Sequence, residues 1–498
     1  MITAKPKSAP DPGALWRRAS ALPLAGAARA AAIVLLAFAA SLHIGVARAA
    51  TIVIVNQNVP GVGFNDNTPA APVGGNPGLT LGQQRLNAFQ RAADIWGATL
   101  SSEVPIRIGA SFVPLSCNAT GAVLGSAGAY EVWSDFAGAP RTSTWYPAAL
   151  AGKLAGVDQS EPDVPHIVAR FNSRLGLFAD CVPGLTFYLG LDNNAGGDID
   201  LVTTLLHEFA HGLGFQTFTD DESGAQLAGI PSIWDYYLID NRTERLWVQL
   251  TDAERAASAI AWRGLSWNGA NVTAAVPGAL GPAPQLTIGG AGAGIAAGTY
   301  AVGSAAFGTP LSNTPVLGQL MPVVDQSTGV GLACTALSAS NARAVSGNIA
   351  LVDRGSCDFV VKARNVQDAG AIGMVLADNV AGEVASLPGA DPAITIPSAR
   401  ITLSDGVRLK AALQTRSRTR SGVIAGLGTN ATRLAGADEE RRILLYTPSI
   451  NSPGSSVSHY TTEASPNQLM EPSINADLPH VVTPPRDLTY PLLRDIGW

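Results

Sequence analysis

The most constraining feature of this chain is the run Leu205-Leu206-His207-Glu208-Phe209-Ala210-His211. On a helix two His residues four apart share one face about one turn apart, so the segment is expected to be helical and its two imidazoles to converge. Leu205, Leu206, Phe209, Ala210 and Leu213 are apolar, so this helix must also be buried. Burying two imidazoles and a carboxylate without partners is costly, and one metal ion satisfies both His at once. Asp198 or Asp200 can cap the helix start, because a carboxylate there accepts free backbone N–H groups. The helix is expected from about Leu201 to Gly212, with Gly212 and Gly214 ending it.

The rest of the chain sets the context. Its 498 residues exceed one ordinary core, with 47% hydrophobic and only 14% charged, which implies a loop-rich globular protein of two or three domains. A net charge of -6 and little Lys exclude the electrostatic footprint of a nucleic-acid binder. Lys5, Lys7, Arg17, Arg18 and Arg29 precede an apolar run from Ala30 to Leu42 and then Ala47-Arg48-Ala49, the pattern of an export signal cleaved after Ala49. That run is shorter than the roughly 20 residues needed to span a bilayer. The mature chain is therefore expected outside the cell without a stable membrane anchor. Arg17-Arg18 lacks the bulky apolar residues that usually follow a twin-arginine pair.

Four Cys in an exported chain favour two disulfides, and position favours Cys117 with Cys181 and Cys334 with Cys357 among three connectivities. Strands are expected at Thr51–Val55, Pro105–Val113, His166–Asn172 and Leu185–Leu191, and a helix with a core-facing stripe from Gly82 to Leu100. Composition shifts to Gly, Ala and Pro from about Pro277, with Gly289–Gly294 reading as a loop or boundary. Strands are then expected at Ile349–Val352 and Met374–Ala377, with a helix between them at Val361–Ala369. A final segment starts at Arg442–Tyr446.

His207 and His211 are candidate zinc ligands, with Glu208 as the general base that takes a proton from water during peptide hydrolysis. A catalytic zinc usually has a third protein ligand. The stretch His207-Glu208-Phe209-Ala210-His211-Gly212-Leu213-Gly214-Phe215-Gln216-Thr217 resembles the extended metzincin motif, but Thr217 stands where that motif has its third His. Ser458-His459-Tyr460 and Asn467-Gln468-Leu469-Met470-Glu471-Pro472 resemble the leishmanolysin-like segment in which a delayed third His precedes the Met-turn. The resemblance implies His459 as third ligand and Met470 as the Met-turn residue. An acidic third ligand from Asp220, Asp221, Glu222 or Asp235 is the gluzincin-like alternative. Tyr460 and Tyr490 are weak candidates for oxyanion stabilisation. Asp192-Asn193-Asn194 and Gly197-Asp198 offer oxygens to a structural Ca2+, but turns are the preferred reading.

The stretch Gly347–Phe359, continued by Lys362-Ala363, Ala369–Gly373, Leu376–Asn379 and Ile396–Ala399, resembles the protease-associated (PA) domain. Such modules are non-catalytic lids or substrate-binding appendages. The resulting expectation is an α+β protein: residues 1–49 a signal peptide, 50–276 and 437–498 two parts of a metzincin-like catalytic domain with a mixed sheet and active-site helix, and 277–436 an inserted PA domain of β-rich α/β type. The implied activity is a secreted zinc endopeptidase acting on extended polypeptide. The alternative is a secreted peptide- or glycan-binding protein on an inactive scaffold, against which the intact Glu208 argues. Nothing in the sequence sets an oligomeric state.

Overall fold

The computed structural model describes residues 48–324 and 329–498. The expected signal segment lies almost wholly outside the described residues. No helix among them is long and apolar enough to cross a membrane.

The first sheet holds β1 (Ile52–Asn56), β2 (Ile106–Val113), β3 (Gly125–Ala129) and β4 (Ile167–Asn172), in the order β1-β2-β4-β3. The first three in that order run parallel, and β3 pairs antiparallel on the outside of β4, with Ser126 opposite Arg170 and Ala127 opposite Ala169. Helix α1 (Leu81–Thr99) forms because Ala88, Phe89, Ala92, Ala93 and Trp96 make one buried stripe, and Thr80 caps it by accepting from the Gln83 N–H. That stripe meets helix α2 (Leu201–Leu213): Phe89 packs edge-on against Phe209 and Phe171, and the Trp96 indole N–H donates to the Leu206 carbonyl at 3.1 Å. The four-stranded sheet and α2 thus enclose one core around α1.

Two separated stretches of sequence build this core. Residues from Ala50 to Leu280 and from Ala437 to Ile496 form one buried apolar cluster. The late segment re-enters beside the early one through the Trp267 N–H to Ile443 carbonyl and Leu445 N–H to Leu265 carbonyl bonds, both 2.9 Å. Helix α3 (Ala270–Ala279) packs on the terminal helix α4 (Thr489–Ile496). The Asp495 carboxylate accepts from the Asn271 and Val272 N–H groups at the start of α3, at 2.8 and 3.2 Å, where a negative charge offsets the helix dipole. The boundary expected at Pro277 therefore falls inside α3, whose Val272, Val276 and Ala279 belong to the first core.

The intervening module has its own cores and an eight-stranded sheet among the described residues. In spatial order its strands are Gly298–Ala301, Pro282–Gly289, Ile424–Leu434, Val316–Pro322, Ile349–Asp353, Gly373–Ala377, Ser398–Ile401 and Gly303–Ser304. Helix Phe359–Asp368 connects two parallel neighbours, close to where it was expected. The Gly289–Gly294 run is a turn inside this sheet, not a domain border. The four Cys form Cys117–Cys181 and Cys334–Cys357 bridges. The fully buried Lys362 ammonium donates to the Leu332 and Gly355 carbonyls at 2.6 and 2.8 Å, pinning the two arms of the second loop beside its bridge.

The strand expected at Leu185–Leu191 is shorter in the structure, and β3, like Pro282–Gly289, Val316–Pro322, Ser398–Ile401 and Ile424–Leu434, is a strand that the sequence does not announce. Of Leu185–Leu191 only Phe187–Tyr188 pairs, with Ile199–Asp200. Strand β3, with sequence Gly-Ser-Ala-Gly-Ala, has no β-branched residue and takes its form from pairing with β4.

Candidate metal centre and its cleft

Helix α2 starts at Asp200, not Asp198: the Asp200 carboxylate accepts from the Thr203 N–H at 2.8 Å, and His480 hydrogen-bonds the same oxygen at 2.9 Å. Asp198 instead accepts from the Thr186 N–H and hydroxyl. Gly214, at φ 125°, closes the helix in a conformation that L side chains avoid. Gly212 does not end it. That residue is helical, and a Cβ there would sit 2.3 Å from Ile167 Cγ2, so its role is close approach of α2 to β4.

His207 and His211 project together and meet His459, which comes from the late segment. The three Nε2 atoms are each 3.2 Å from the other two. Every Nδ1 faces a backbone carbonyl: Leu469 for His207 at 2.7 Å, Phe215 for His211 at 2.7 Å and Ser455 for His459 at 2.9 Å. A carbonyl can only accept, so each Nδ1 carries the proton and each Nε2 turns a lone pair inward. Burial holds His207 down to about 4 and, with the repulsion of His207, His211 down to about 3. His459 is pushed well below the usual value by burial and by its two neighbours.

Three buried lone pairs facing one another repel unless a cation lies among them. Tetrahedral zinc with Zn–N bonds of about 2.0–2.1 Å needs ligand nitrogens about 3.3 Å apart, which the spacing of the trio matches. Among the described residues this trio is the one group of His, Cys, Asp and Glu with ligand atoms close enough to share an ion. The acidic candidates are placed otherwise. Asp235 is fully buried and accepts from Thr217 Oγ1, Thr219 Oγ1 and the Ser232 N–H, at 2.7, 2.7 and 2.9 Å. Asp220 accepts from Ser223, Asp221 from Asn451, and Glu222 is outside the trio as well. Thr217, at the position of the motif's third His, thus ties its loop to Asp235. Asp192 accepts from the Tyr188 hydroxyl and the Asn194 N–H, so with Asp198 it serves turns.

Glu208 lies on the same helix face, buried, and burial raises its carboxyl to about 8 against the opposing hydrogen bond from the Ala127 backbone. Met470 is fully buried one residue after Leu469, the residue that orients His207, and its carbonyl accepts from the Tyr460 N–H at 2.7 Å. This turn is anchored by the Leu469 N–H to Asp487 bond at 2.7 Å. The Tyr460 hydroxyl is committed to the Leu488 carbonyl at 3.0 Å, and neither Tyr460 nor Tyr490 lines the cleft.

A cleft of about 1110 Å³ opens over the trio and Glu208. One wall is β3. Hydrogen bonds from the Asn172 N–H to the Leu124 carbonyl and from the Tyr130 N–H to the His166 carbonyl fix the alternation of this antiparallel pair. They turn the main-chain groups of Gly125, Ala127 and Ala129 away from β4 onto the outer edge beside Glu208, where the Ala127 N–H bonds the Glu208 carboxylate and the groups of Gly125 and Ala129 face the cleft. The sequence reading missed this edge and the three orienting carbonyls; none has a side-chain signal.

Residues 316–409 match the family model of the PA domain. A stretch of 114 residues is 34% identical to the minor extracellular protease Vpr of Bacillus subtilis, covering 22% of this chain and 14% of that protein. Another of 80 residues is 41% identical to the ER degradation-enhancing alpha-mannosidase-like protein 3 of Homo sapiens, covering 16% of this chain and 8% of that one. The chain thus spans a small fraction of the length of these relatives. Among solved structures, an aminopeptidase from Aneurinibacillus sp. strain AM-1 is similar over 31% of each chain at 23% identity and a TM-score of 0.23. The zinc aminopeptidase BSAP from Bacillus subtilis is similar over 32% of this chain and 35% of its own, at 19% identity and a TM-score of 0.20. Likeness at that level carries no argument about the site. The chain is a mixed α/β protein that contains a PA domain.

Proposed function

We propose that this chain is a secreted zinc-dependent endopeptidase of metzincin-like architecture. The observation that carries the reading is the convergence of three Nε2 lone pairs, 3.2 Å apart, beside a buried carboxylate in an open cleft. His207, His211 and His459 would hold the ion, with Met470 as the Met-turn residue. When bound, zinc supplies a Lewis acid that lowers the pKa of water towards neutrality and polarises a carbonyl.

The chain's own residues do the rest. Glu208 takes a proton from the attacking water on its carboxylate and delivers it to the leaving amine nitrogen. Glu208 would be kept in its basic carboxylate form by a cation held at the three His beside it, which would oppose the burial that raises its carboxyl. The carbonyls of Leu469, Phe215 and Ser455 fix the imidazoles in the tautomer that binds metal. The free edge of β3 offers main-chain groups to an extended peptide, a mode of binding largely blind to sequence. In this reading residues 50–280 and 437–498, which share one apolar core, form the catalytic unit, the PA module is a non-catalytic appendage, and the two disulfides suit an oxidising compartment.

The test is hydrolysis of casein by the zinc-loaded protein and by Glu208→Gln. The wild type should cut casein, and Glu208→Gln should keep its zinc and lose at least about 100-fold in rate. Equal rates in both proteins would remove Glu208 from the chemistry.

A further inference from the structure

The cleft does not stop at β3. It continues over the outer face of the sheet, where Val168 and Arg170 of β4 also line it. Besides the imidazoles, the charged side chains on the cleft wall are Glu208 and Arg170. Arg170 is exposed, and no described residue forms an ion pair or hydrogen bond with its guanidinium. Neighbouring cations are already engaged: Arg107 of β2 pairs with Asp158 and Arg174, just past β4, with Asp180. Arg170 is thus the one unneutralised cation in the cleft.

Its position in the sheet gives it reach. Phe171 and Ala169 point to the helices, so Arg170 stands on the opposite face, directly across from Ser126. A peptide paired to the free edge of β3 lies two strand spacings from β4, roughly 10 Å. On that face β3 presents only Ser126 and Gly128, so no β3 side chain larger than Ser stands between Arg170 and a side chain of such a peptide.

We infer that Arg170 is a specificity residue that selects a carboxylate on the bound peptide. This rests on the peptidase reading above for its substrate class. The carboxylate comes either from an acidic side chain in the segment alongside β3 or from the free C-terminus of a short peptide. Arg170 acts on binding, by a charge-assisted hydrogen bond from its guanidinium, and takes no part in the chemistry.

The experiment uses the full zinc-loaded chain and one labelled peptide series. Glu, Gln or Lys is placed in turn at each of three positions on either side of a central Ala-Leu bond, with the C-terminus free or amidated. Affinity is measured by fluorescence anisotropy on Glu208→Gln protein, with and without Arg170→Gln or Arg170→Glu, and turnover is followed with Glu208 intact. Arg170 should favour Glu over Gln at one position by about fivefold in Kd. Arg170→Gln should bring that ratio to about one, and Arg170→Glu should turn the preference to Lys. A ratio that responds to amidation alone assigns the site to the terminal carboxylate instead of a side chain, and still supports Arg170. Equal ratios in all three proteins overturn the inference. Because affinity is read on the Glu208→Gln background, an absence of turnover would sink the peptidase reading while the ratios still decide Arg170.

Discussion

Gly212 follows His211, and its fit against β4 sets how closely helix α2 approaches the sheet. Built onto Gly212, a Cβ would lie 2.3 Å from Ile167 Cγ2 and 2.8 Å from both Cγ1 and Cδ1. Ile167 is fully buried, so its side chain has nowhere to retreat. Overpacking of this kind costs roughly 1–3 kcal/mol, and so close a contact belongs at the upper end. Ala is favoured over Gly within a helix by about 1 kcal/mol, which leaves Gly212→Ala destabilising by about 2 kcal/mol. Ile167→Ala removes all three clashing atoms at a cost of about 2–5 kcal/mol. Added to that variant, Gly212→Ala should become stabilising by about 1 kcal/mol, because only the helix preference and a partly refilled cavity remain. The coupling is then about 3 kcal/mol, measured as a double-mutant cycle by urea unfolding of zinc-saturated protein. Gly212→Ala with the same sign and size in both backgrounds would refute the packing argument and return Gly212 to a role at the helix end.

Two other outcomes concern the His trio and the PA module. Stripping zinc with a chelator leaves three inward lone pairs 3.2 Å apart, so thermal stability should fall, by about 4 kcal/mol relative to protein at a free zinc level 1,000 times its Kd; an unchanged melting temperature would count against the site. In the PA module, burial alone would raise the Asp378 carboxyl, but hydrogen bonds from Arg354 and Arg400 outweigh it and hold the group below its usual 3.8. A depressed carboxyl gives stability that is complete above the unfolded value and is lost as pH falls through the lower folded value. Asp378→Asn should therefore unfold more easily at neutral pH yet lose less stability than wild type on acidification below about pH 4, as followed by urea melts.

What the sequence disclosed depended on whether a residue's role was local. The spacing of His207 and His211 and the apolar flanks specify a buried helix, and the structure has it at Leu201–Leu213. The β-branched and apolar runs at Ile52–Asn56 and Ile349–Asp353 are strands for the same reason. By contrast, Gly125–Ala129 is a strand only because β4 pairs with it, and no local preference marks five small residues as the cleft edge. Pro277 looked like a border, but it lies in the last turn of α3, where its missing N–H forfeits one helix bond and the buried Val272 and Val276 still hold the helix in place. Gly212 looked like a helix end because Gly serves there often, and only the position of Ile167 reveals the packing role. His459 was named through its resemblance to a delayed third ligand, since 248 residues separate it from His211. The Leu469, Phe215 and Ser455 carbonyls that orient the imidazoles are backbone groups, which no residue type announces.

The most direct test of the account is the zinc content of the purified, folded protein by mass spectrometry of the metal, for the wild type and for His459→Ala. The wild type should carry one zinc per chain and, with one of three ligands gone, affinity should fall by at least about 100-fold, so that His459→Ala emerges from dialysis essentially without metal. A wild type that binds no zinc, or a His459→Ala protein that holds it as tightly as the wild type, would contradict the three-histidine centre.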